Sequence, residues 1–247
     1  MDTLIAGASG GIGLAMARQA LEQHPQRRVL ALARNIHSSD ALKTLAESFP
    51  ERLIPIAGDV TDAGNLSHSL KRSLPGDIQL GRVVYAIGVL HNERLSPEKR
   101  LEQIDPAALL ESYQVNTVGF LTLMQALLPW LRHREPKTIA AISAKVGSIG
   151  DNGFGGWYSY RCSKAALNMA VRNLSIEAAR RLKPAIVVAL HPGTTETRLT
   201  APFQQSLSQL KVHTPAETAA NLWAVIDGLT EEDSGQFLSW DGSHLPW

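Results

Sequence analysis

Short apolar runs alternate with longer segments of helical periodicity along most of the chain. The apolar runs predict seven strands, at Thr3–Ala6, Arg28–Ala33, Leu53–Ala57, Val83–Ala86, Thr138–Ser143, Ala185–Leu190 and Gln236–Trp240. The segments between them predict helices around Leu14–Gln23, Ala41–Ser48, Ala63–Leu74, Ala107–Arg134, Tyr160–Leu182 and Pro215–Gly228. This alternation predicts a doubly wound α/β fold, in which helices cover both faces of a parallel seven-stranded sheet. Strands that are apolar nearly throughout are typical of a sheet buried on both sides.

Composition restricts the class of protein further. The 247 residues contain no repeat, low-complexity segment or linker, so we expect one domain, residues 1–247. The formal net charge of +1 argues against a nucleic-acid surface, and no apolar run is long enough to cross a bilayer. The first predicted strand begins almost at Met1, so we expect no signal peptide. One cysteine excludes an internal disulfide and fits a reducing compartment, which favours a cytoplasmic location.

A glycine-rich turn separates the first predicted strand from the first predicted helix. It comprises Gly7, Ala8, Ser9, Gly10, Gly11, Ile12 and Gly13. Glycine lets the backbone approach a pyrophosphate, and the free N–H groups of a helix N-terminus face its negative charge. The spacing differs from the common Gly-x-Gly-x-x-Gly, and a tight strand-to-helix turn would also use these glycines. The turn therefore predicts a dinucleotide site.

A second motif lies near the start of the predicted helix Tyr160–Leu182. Tyr160 and Lys164 are four residues apart, so they share one face of that helix. A neighbouring ammonium favours the phenolate, so Lys164 is expected to lower the pKa of Tyr160 and make it a usable proton donor and acceptor. Tyr158 is six residues from Lys164 and does not share that face. Tyr160 is therefore the predicted acid.

Both motifs, in this order, resemble the short-chain dehydrogenase/reductase family over essentially the whole chain, which implies a Rossmann fold. The block Ile142–Ile149, the segment Gly155–Tyr158 and the closing Trp240-Asp241-Gly242 resemble the subgroup that contains the C-factor signalling protein and sniffer-type carbonyl reductases. The resemblance implies a homodimer or homotetramer. The long helices Ala107–Arg134 and Tyr160–Leu182 carry apolar residues beyond one core-facing stripe, which favours the same conclusion.

Several residues at strand ends are expected to bind the cofactor. Arg34 follows the second strand, where an acidic residue would bind both ribose hydroxyls and an arginine can pair with a 2′-phosphate. We therefore favour NADP(H), with NAD(H) possible. By resemblance, Asp59 and Val60 contact the adenine. The family commonly has two asparagines, an alanine and a glycine at the end of the fourth strand. In this chain Gly88 keeps the glycine, and Tyr85 and Ala86 stand in place of the asparagines.

A Pro-Gly loop follows the sixth strand. Pro192 and Gly193 resemble the family loop that meets the nicotinamide carboxamide, with Thr195 as a backbone contact and Thr197 as the hydroxyl contact. A plain turn would also use Pro-Gly. His91 and His191 lack a carboxylate or cysteine at ligand spacing, so we expect no metal site.

The remaining catalytic residues come from the resemblance. Asn116 matches an asparagine that kinks its helix and holds a water linking Lys164 to solvent. The family has two adjacent serines after the fifth strand and uses the second to polarise the carbonyl, but here that position is Ala144. Three possibilities follow: Ser143 acts from a shifted strand end, Ser148 acts from the loop, or no serine acts. We favour Ser143, although strand alternation turns Ser143 and Ala144 to opposite faces.

The predicted activity is reversible reduction of an aldehyde or ketone with Tyr160, Lys164, Asn116 and Ser143 as catalytic residues. Phe154, Trp157 and the segment Leu199–Lys211 are expected to border the substrate, and their apolar content favours a hydrophobic body. A cofactor-binding signalling protein with little turnover is the alternative that Ala144 and the C-factor resemblance support. A structural dimer-forming protein would keep only the fold.

Overall fold

The computed structural model describes residues 1–203 and 211–247. The strands of the main sheet are β1 (Asp2–Ala6), β2 (Val29–Ala33), β3 (Leu53–Ala57), β4 (Leu80–Tyr85), β5 (Lys137–Ile142), β6 (Ala185–His191) and β9 (Phe237–Ser239). They form one parallel sheet in the order β3-β2-β1-β4-β5-β6-β9, which confirms the predicted seven-stranded doubly wound fold. Two short strands that the sequence did not predict, β7 (Thr194–Thr195) and β8 (Val212–His213), pair with each other.

The helices are α1 (Gly11–Gln23), α2 (Asp40–Ser48), α3 (Ala63–Ser73), α4 (Pro106–Tyr113), α5 (Gly119–Leu131), α6 (Tyr158–Arg181) and α7 (Pro215–Gly228). The predicted single helix Ala107–Arg134 is wrong in its middle, because a π-helical turn, Gln114–Val118, separates α4 from α5. The turn contains Asn116, whose side chain makes hydrogen bonds with the backbone of Val89, in the loop after β4.

Two apolar clusters lie on opposite faces of the sheet. Strand alternation assigns the side chains: Val83 and Tyr85 of β4 face the cluster that includes α3, α5 and α6, while Val84 faces the cluster that includes α1, α2 and α7. The apolar strands are therefore buried on both sides, as predicted. Every loop that follows a strand at its carboxyl end reaches the same edge of the sheet, which is where ligands bind in open α/β folds.

Among the described residues, no helix is both long and apolar enough to span a membrane. The same part of the chain contains no group of three or more histidine, cysteine, aspartate or glutamate side chains that could hold a metal ion.

Candidate active site

The glycine-rich turn forms an open cradle at the carboxyl end of β1. Gly7 has a φ of 93°, and a Cβ there would lie 2.8 Å from the carbonyl oxygen of Ala86. A Cβ on Gly13 would collide with the carbonyl oxygen of Gly7. Ser9, Gly10 and Gly11 are exposed in front of the N-terminus of α1. Glycine is therefore required by the close approach of turn, helix and neighbouring strand, and the exposed face is available to an anion.

The Pro-Gly loop folds back onto this turn. Gly11 has a φ of 53°, and a Cβ there would lie 3.4 Å from Cγ2 of Thr197. Gly193 has a φ of 75° and packs against Trp240, while buried Thr195 turns its hydroxyl toward Thr218 at 2.8 Å. The structure thus brings Thr197 to the glycine-rich turn, while the carbonyl oxygen of Thr195 accepts from the Thr200 hydroxyl at 2.6 Å.

The loop after β2 is tied to the same turn. Arg34 is exposed at the end of β2. Ser39, which caps the N-terminus of α2, donates from its hydroxyl to the carbonyl oxygen of Ser9 at 2.7 Å. Asp59, in the loop after β3, accepts from the backbone and hydroxyl of Thr61 at 2.9 and 2.7 Å. These contacts give the predicted adenosine end of the site a fixed geometry at the carboxyl edge of the sheet.

Tyr160 and Lys164 lie together in the first two turns of α6. Both side chains are almost fully buried, and the ammonium nitrogen of Lys164 lies 5.8 Å from the centre of the Tyr160 ring. Lys164 donates to the carbonyl oxygen of Ile142, at the end of β5, at 3.0 Å. A Cβ on Gly88 would lie 3.4 Å from Lys164 Nζ and 3.5 Å from Asn116 Oδ1. The structure therefore brings Tyr160, Lys164, Asn116 and Gly88 to one place.

Burial controls the pKa values of this pair. It raises the pKa of Tyr160 above its ordinary value, which is opposite to the lowering expected from the Tyr160–Lys164 spacing, because a phenolate here would lose its hydration. Burial also lowers the pKa of Lys164 to about 8. At neutral pH Tyr160 therefore holds its proton, and Lys164 is protonated in most molecules.

Asn116 connects three segments around Lys164. Its Oδ1 accepts from the backbone N–H of Val89 at 2.8 Å, and its Nδ2 donates to the Val89 carbonyl oxygen at 2.9 Å. Nδ2 also lies 2.9 Å from the hydroxyl of Ser163 and 3.2 Å from that of Ser112. The predicted kink is present as the π-helical turn, and the side chain that shapes it joins α4 and α6 to the loop after β4.

The hydroxyl of Ser143, which is predicted to polarise the carbonyl, is directed toward α6 in this structure. Ser143 is buried one residue beyond β5, and its hydroxyl donates to Oδ1 of Asn168 on α6 at 2.6 Å. This bond occupies the only proton of the hydroxyl. Ser148 is also buried, and its oxygen accepts from the backbone N–H of Asp151 at 3.1 Å. Ala144, in the position of the family's serine, is partly exposed.

An aromatic group borders Tyr160. The Trp157 ring lies edge-on to Tyr160 with centroids 6.3 Å apart, and Phe203 lies 5.2 Å from Trp157. The His91 and Phe203 rings lie edge to face with centroids 5.9 Å apart, and His91 Nε2 is within hydrogen-bond distance of the carbonyl oxygens of Arg198 and Leu199, to which only a protonated Nε2 can donate. Trp157 therefore lies beside Tyr160 and Phe203 lies beside Trp157, and their place at the border of the substrate stays a prediction. Phe154 is 97% exposed, and residues 204–210 of the segment Leu199–Lys211 lie outside the described residues.

The turn that presents Trp157 is built from left-handed backbone. Gly155, Gly156 and Trp157 have φ values of 67°, 65° and 50°, and the last is uncommon for a residue with a side chain. Glu98 holds this turn: its carbonyl oxygen accepts from Trp157 N, and its buried carboxylate accepts from the backbone and hydroxyl of Ser159. A left-handed backbone conformation costs a non-glycine residue such as Trp157 about 1–3 kcal/mol. It persists where surrounding contacts, here those of Glu98, hold the residue in place.

Sequence reasoning missed four of the residues that fix the site: Glu98, Ser112, Ser163 and Asn168. Asn168 is four residues beyond Lys164 and so shares the helical face of the Tyr160–Lys164 motif, a spacing that could have identified it. Ser163 is three residues beyond Tyr160 and lies on nearly the same face. Glu98 comes from a long loop, and no local pattern connects it to Ser159.

The fold and this edge of the sheet define a nucleotide-binding α/β protein with a buried tyrosine–lysine pair. Its sequence matches the family model for short chain dehydrogenase over residues 2–208. The chain belongs to the short-chain dehydrogenase family, as the sequence motifs predicted, and is an oxidoreductase of that family.

Two curated relatives show the range of the similarity. The C-signal protein of Myxococcus xanthus is 36% identical over 148 residues, which cover 60% of this chain and 83% of that protein. The 1-hydroxy-2-glutathionyl-2-methyl-3-butene dehydrogenase of Rhodococcus sp. (strain AD45) is 33% identical over 189 residues, covering 76% of this chain and 78% of that one.

Solved structures of carbonyl reductases are similar over the full chain. The NADPH-bound carbonyl reductase from chicken fatty liver has a TM-score of 0.85 and 29% identity, with coverage of 100% of this chain and 98% of that one. The carbonyl reductase Sniffer of D. melanogaster has a TM-score of 0.85 and 26% identity, with coverage of 100% and 99%. Both are consistent with the predicted subgroup.

Proposed function

We propose that the protein is an NADP(H)-dependent carbonyl reductase that interconverts an aldehyde or ketone and the corresponding alcohol. The observation that carries the proposal is the buried Tyr160–Lys164 pair beside Gly88, at the edge of the sheet that also holds the glycine-rich turn. The dehydrogenase and carbonyl reductases to which the chain is similar support the same reaction class.

The residues present fit a nicotinamide dinucleotide. Gly7, Gly13 and Gly88 sit where a Cβ would meet backbone or the polar groups of the site, so the cradle is open only because these residues are glycine. The exposed turn Ser9–Gly11 would hold the pyrophosphate. Thr197 and the backbone of Thr195 would hold the carboxamide, since the Pro-Gly loop reaches this turn.

A nicotinamide dinucleotide held in this cradle would supply the hydride for reduction of the carbonyl carbon. Tyr160 donates its proton to the carbonyl oxygen, and its raised pKa keeps that proton in place at neutral pH until negative charge develops on the substrate. Lys164, whose pKa of about 8 leaves it mostly protonated at neutral pH, offsets the negative charge that Tyr160 acquires when it gives up its proton. Asn116 makes two hydrogen bonds with the backbone of Val89 and so orders the segment beside Lys164. A proton that returns from solvent to Tyr160 would pass along this segment and Lys164.

We propose that Tyr160 polarises the carbonyl without help from Ser143, since the Ser143 proton is directed at Asn168. Trp157 and Phe203 form an apolar wall beside Tyr160 and favour a substrate with a hydrophobic body. The test is oxidation of NADPH and of NADH by the purified protein with a panel of aliphatic and aromatic aldehydes and ketones. Absence of turnover with the whole panel, despite cofactor binding, would favour the signalling alternative.

The preference for NADP(H) is assigned to Arg34, which is exposed beside the cradle and could pair with the 2′-phosphate. Arg34→Asp replaces that partner with a like charge and should weaken NADPH binding relative to NADH by about 10- to 100-fold. Isothermal titration gives both dissociation constants. Arg18→Asp makes the same charge change at an exposed position of α1 and should leave the ratio unchanged. An unchanged ratio in Arg34→Asp would remove Arg34 from the site.

We also propose a homo-oligomer built on the helices α4, α5 and α6. Large apolar side chains are exposed on these helices and on the π-helical turn that joins α4 to α5, at Leu110, Val118, Leu121, Met169 and Ile176. Large exposed apolar side chains concentrated on neighbouring helices are typical of a face covered by another chain. Light scattering should give a mass of two or four chains at micromolar concentration, and a monomer at that concentration would contradict the proposal.

A further inference from the structure

The π-helical turn that holds Asn116 depends on contacts from outside its own helix. Gln114–Val118 inserts one residue between α4 and α5, which shifts the backbone hydrogen bonds of the helix out of the α-helical register. Turns of this kind are rare and frequently occur at functional sites. Asn116 lies at the centre of this turn and is fully buried.

Tyr85 supplies one of these contacts. It is the last residue of β4, its side chain is fully buried, and its hydroxyl donates to the Val115 carbonyl oxygen at 2.6 Å. The ring packs edge-on against Phe120, with centroids 5.5 Å apart. A phenol on the central sheet thereby reaches the peptide bond that joins Val115 to Asn116.

The space around this hydroxyl is closed. A Cβ on Gly119 would lie 2.7 Å from the Tyr85 oxygen and 2.6 Å from Cγ2 of Val60, so the helix approaches the strand as closely as glycine permits. Burial and, to a smaller extent, the charge of Asp59 raise the pKa of Tyr85. The hydroxyl therefore keeps its proton across the neutral range and is a constant hydrogen-bond donor.

The position of the π-helical turn affects Lys164 because the Asn116 side chain links the turn to the segment that lies against Lys164. The Asn116 amide makes two hydrogen bonds with the backbone of Val89, at 2.8 and 2.9 Å. Gly88, next to Val89, faces both Asn116 Oδ1 and Lys164 Nζ. Any shift of the carbonyl that Tyr85 holds would change the distance between Asn116 and Lys164.

We propose that Tyr85 is a positioning residue for the proton path: by holding Val115 it sets Asn116 against Val89 and Lys164. This inference rests on the proposed function, in which Asn116 and Lys164 return a proton toward Tyr160. Tyr85 stands where the resembling family commonly has an asparagine, and its longer side chain reaches from β4 to the helix that carries Asn116.

The variant that tests the proposal is Tyr85→Phe, which removes one oxygen and keeps the ring against Phe120. We expect kcat for carbonyl reduction to fall about tenfold, while KM and the dissociation constant of NADPH stay within about twofold. The control is Trp223→Phe, which removes a buried N–H that donates to Met16 O at 3.1 Å in the other helical layer. Equal losses of kcat in the two variants would overturn the proposal.

A double-mutant cycle separates positioning from a general structural role. If Tyr85 acts through Asn116, then Tyr85→Phe combined with Asn116→Ala is no slower than Asn116→Ala alone. If the two losses of kcat multiply instead, Tyr85 acts independently of Asn116 and the proposal is wrong.

Hydrogen exchange gives a readout that needs no substrate. The Val89 amide donates to Asn116 Oδ1, so Tyr85→Phe should raise its exchange rate about tenfold, whereas Trp223→Phe should not. This result is expected even if the protein reduces no carbonyl on the panel, so it distinguishes failure of this inference from failure of the proposed function. Unchanged protection of the Val89 amide in Tyr85→Phe would overturn the inference.

Discussion

The two helical layers of this protein are built from different side chains. In α1, α2 and α7, which the structure describes in full, the buried residues are apolar or glycine except for Thr218. The layer on the other face, formed by α3, α4, α5, α6 and the π-helical turn, buries a set of polar side chains: Ser112, Asn116, Thr117, Ser159, Ser163, Lys164, Asn168 and Ser175. Both layers cover the same sheet, yet only the second holds a hydrogen-bonded polar network against it.

The difference shows how one fold separates stability from chemistry. Apolar contacts are non-directional, so the first layer needs only the correct periodicity and volume. Buried polar groups need partners at defined distances, so the second layer is ordered by bonds such as Asn116 to Val89 and Ser143 to Asn168. The network therefore holds Tyr160 and Lys164 in place, while the apolar layer contributes to folding without touching them.

The largest expected effect lies in the polar layer. Tyr160→Phe removes the proposed proton donor and should lower kcat by about 10³-fold or more, since general acid catalysis contributes about 10²–10⁴-fold. Cofactor affinity should stay within about twofold, because the ring remains. Stopped-flow and steady-state assays with NADPH measure the loss. Substantial reductase activity in the purified variant would remove Tyr160 from its role.

A substitution in the apolar layer should have the opposite profile. Leu21 is fully buried in α1, and Leu21→Ala should cost about 2–5 kcal/mol of unfolding free energy through lost burial and a cavity. Because no polar contact of the site passes through Leu21, kcat should be unchanged well below the melting temperature. Urea denaturation gives the first quantity. A large loss of kcat in the folded variant would show that the layers are not separate.

The edge of the sheet offers a test by pH. Burial, with a smaller contribution from Lys145, lowers the pKa of His191 to about 4, against a contribution from Asp241 and Asp151 that raises it. His191 therefore binds a proton near pH 6.5 in the unfolded chain, but in the folded chain it is protonated only near pH 4. Stability should rise with pH across this window, by about 3 kcal/mol in all.

Unfolding free energies measured between pH 4.5 and 6.5 test this expectation, because the carboxylates with lowered pKa values lose their contribution only at lower pH. His191→Asn should reduce the slope in this range, and His24, whose pKa is also lowered by burial, contributes in the same direction to the slope that remains. The neutral ring also accepts from the backbone N–H of Lys145 at 3.2 Å, so the turn after β5 is expected to loosen as His191 becomes protonated. A curve of the same slope in the variant would assign the pH dependence to other groups.

Substitutions at Ser143, Ala144 and Ser148 test which position polarises the carbonyl. Ser143→Ala leaves Asn168 without its donor and should cost about 1–3 kcal/mol of stability, with little change in kcat. Ala144→Ser restores the position that the family uses and should raise kcat, by up to about 10²-fold, the value of one such donor. Ser148→Ala serves as the matched control and should change kcat little. A 10²-fold loss of kcat in Ser143→Ala would restore Ser143 as the carbonyl donor.

The sequence by itself determined the seven strands of the main sheet, the doubly wound fold and the family. Apolar runs can be read locally because a strand buried on both faces needs no particular partner. The glycine-rich turn and the spacing of Tyr160 and Lys164 were also readable, since each depends on residues close together in the chain. These features share one property: the physical reason for them lies within a single element.

Only the tertiary structure decided where the polar side chains point. Ser143 was expected to face a substrate, but strand alternation and the nearness of α6 direct its proton to Asn168. The predicted single helix Ala107–Arg134 is interrupted at Gln114–Val118, where Asn116 and Tyr85 bond to segments distant in the chain. The pKa of Tyr160 is raised and not lowered, because burial depends on everything packed around the ring and not on one neighbour four residues away.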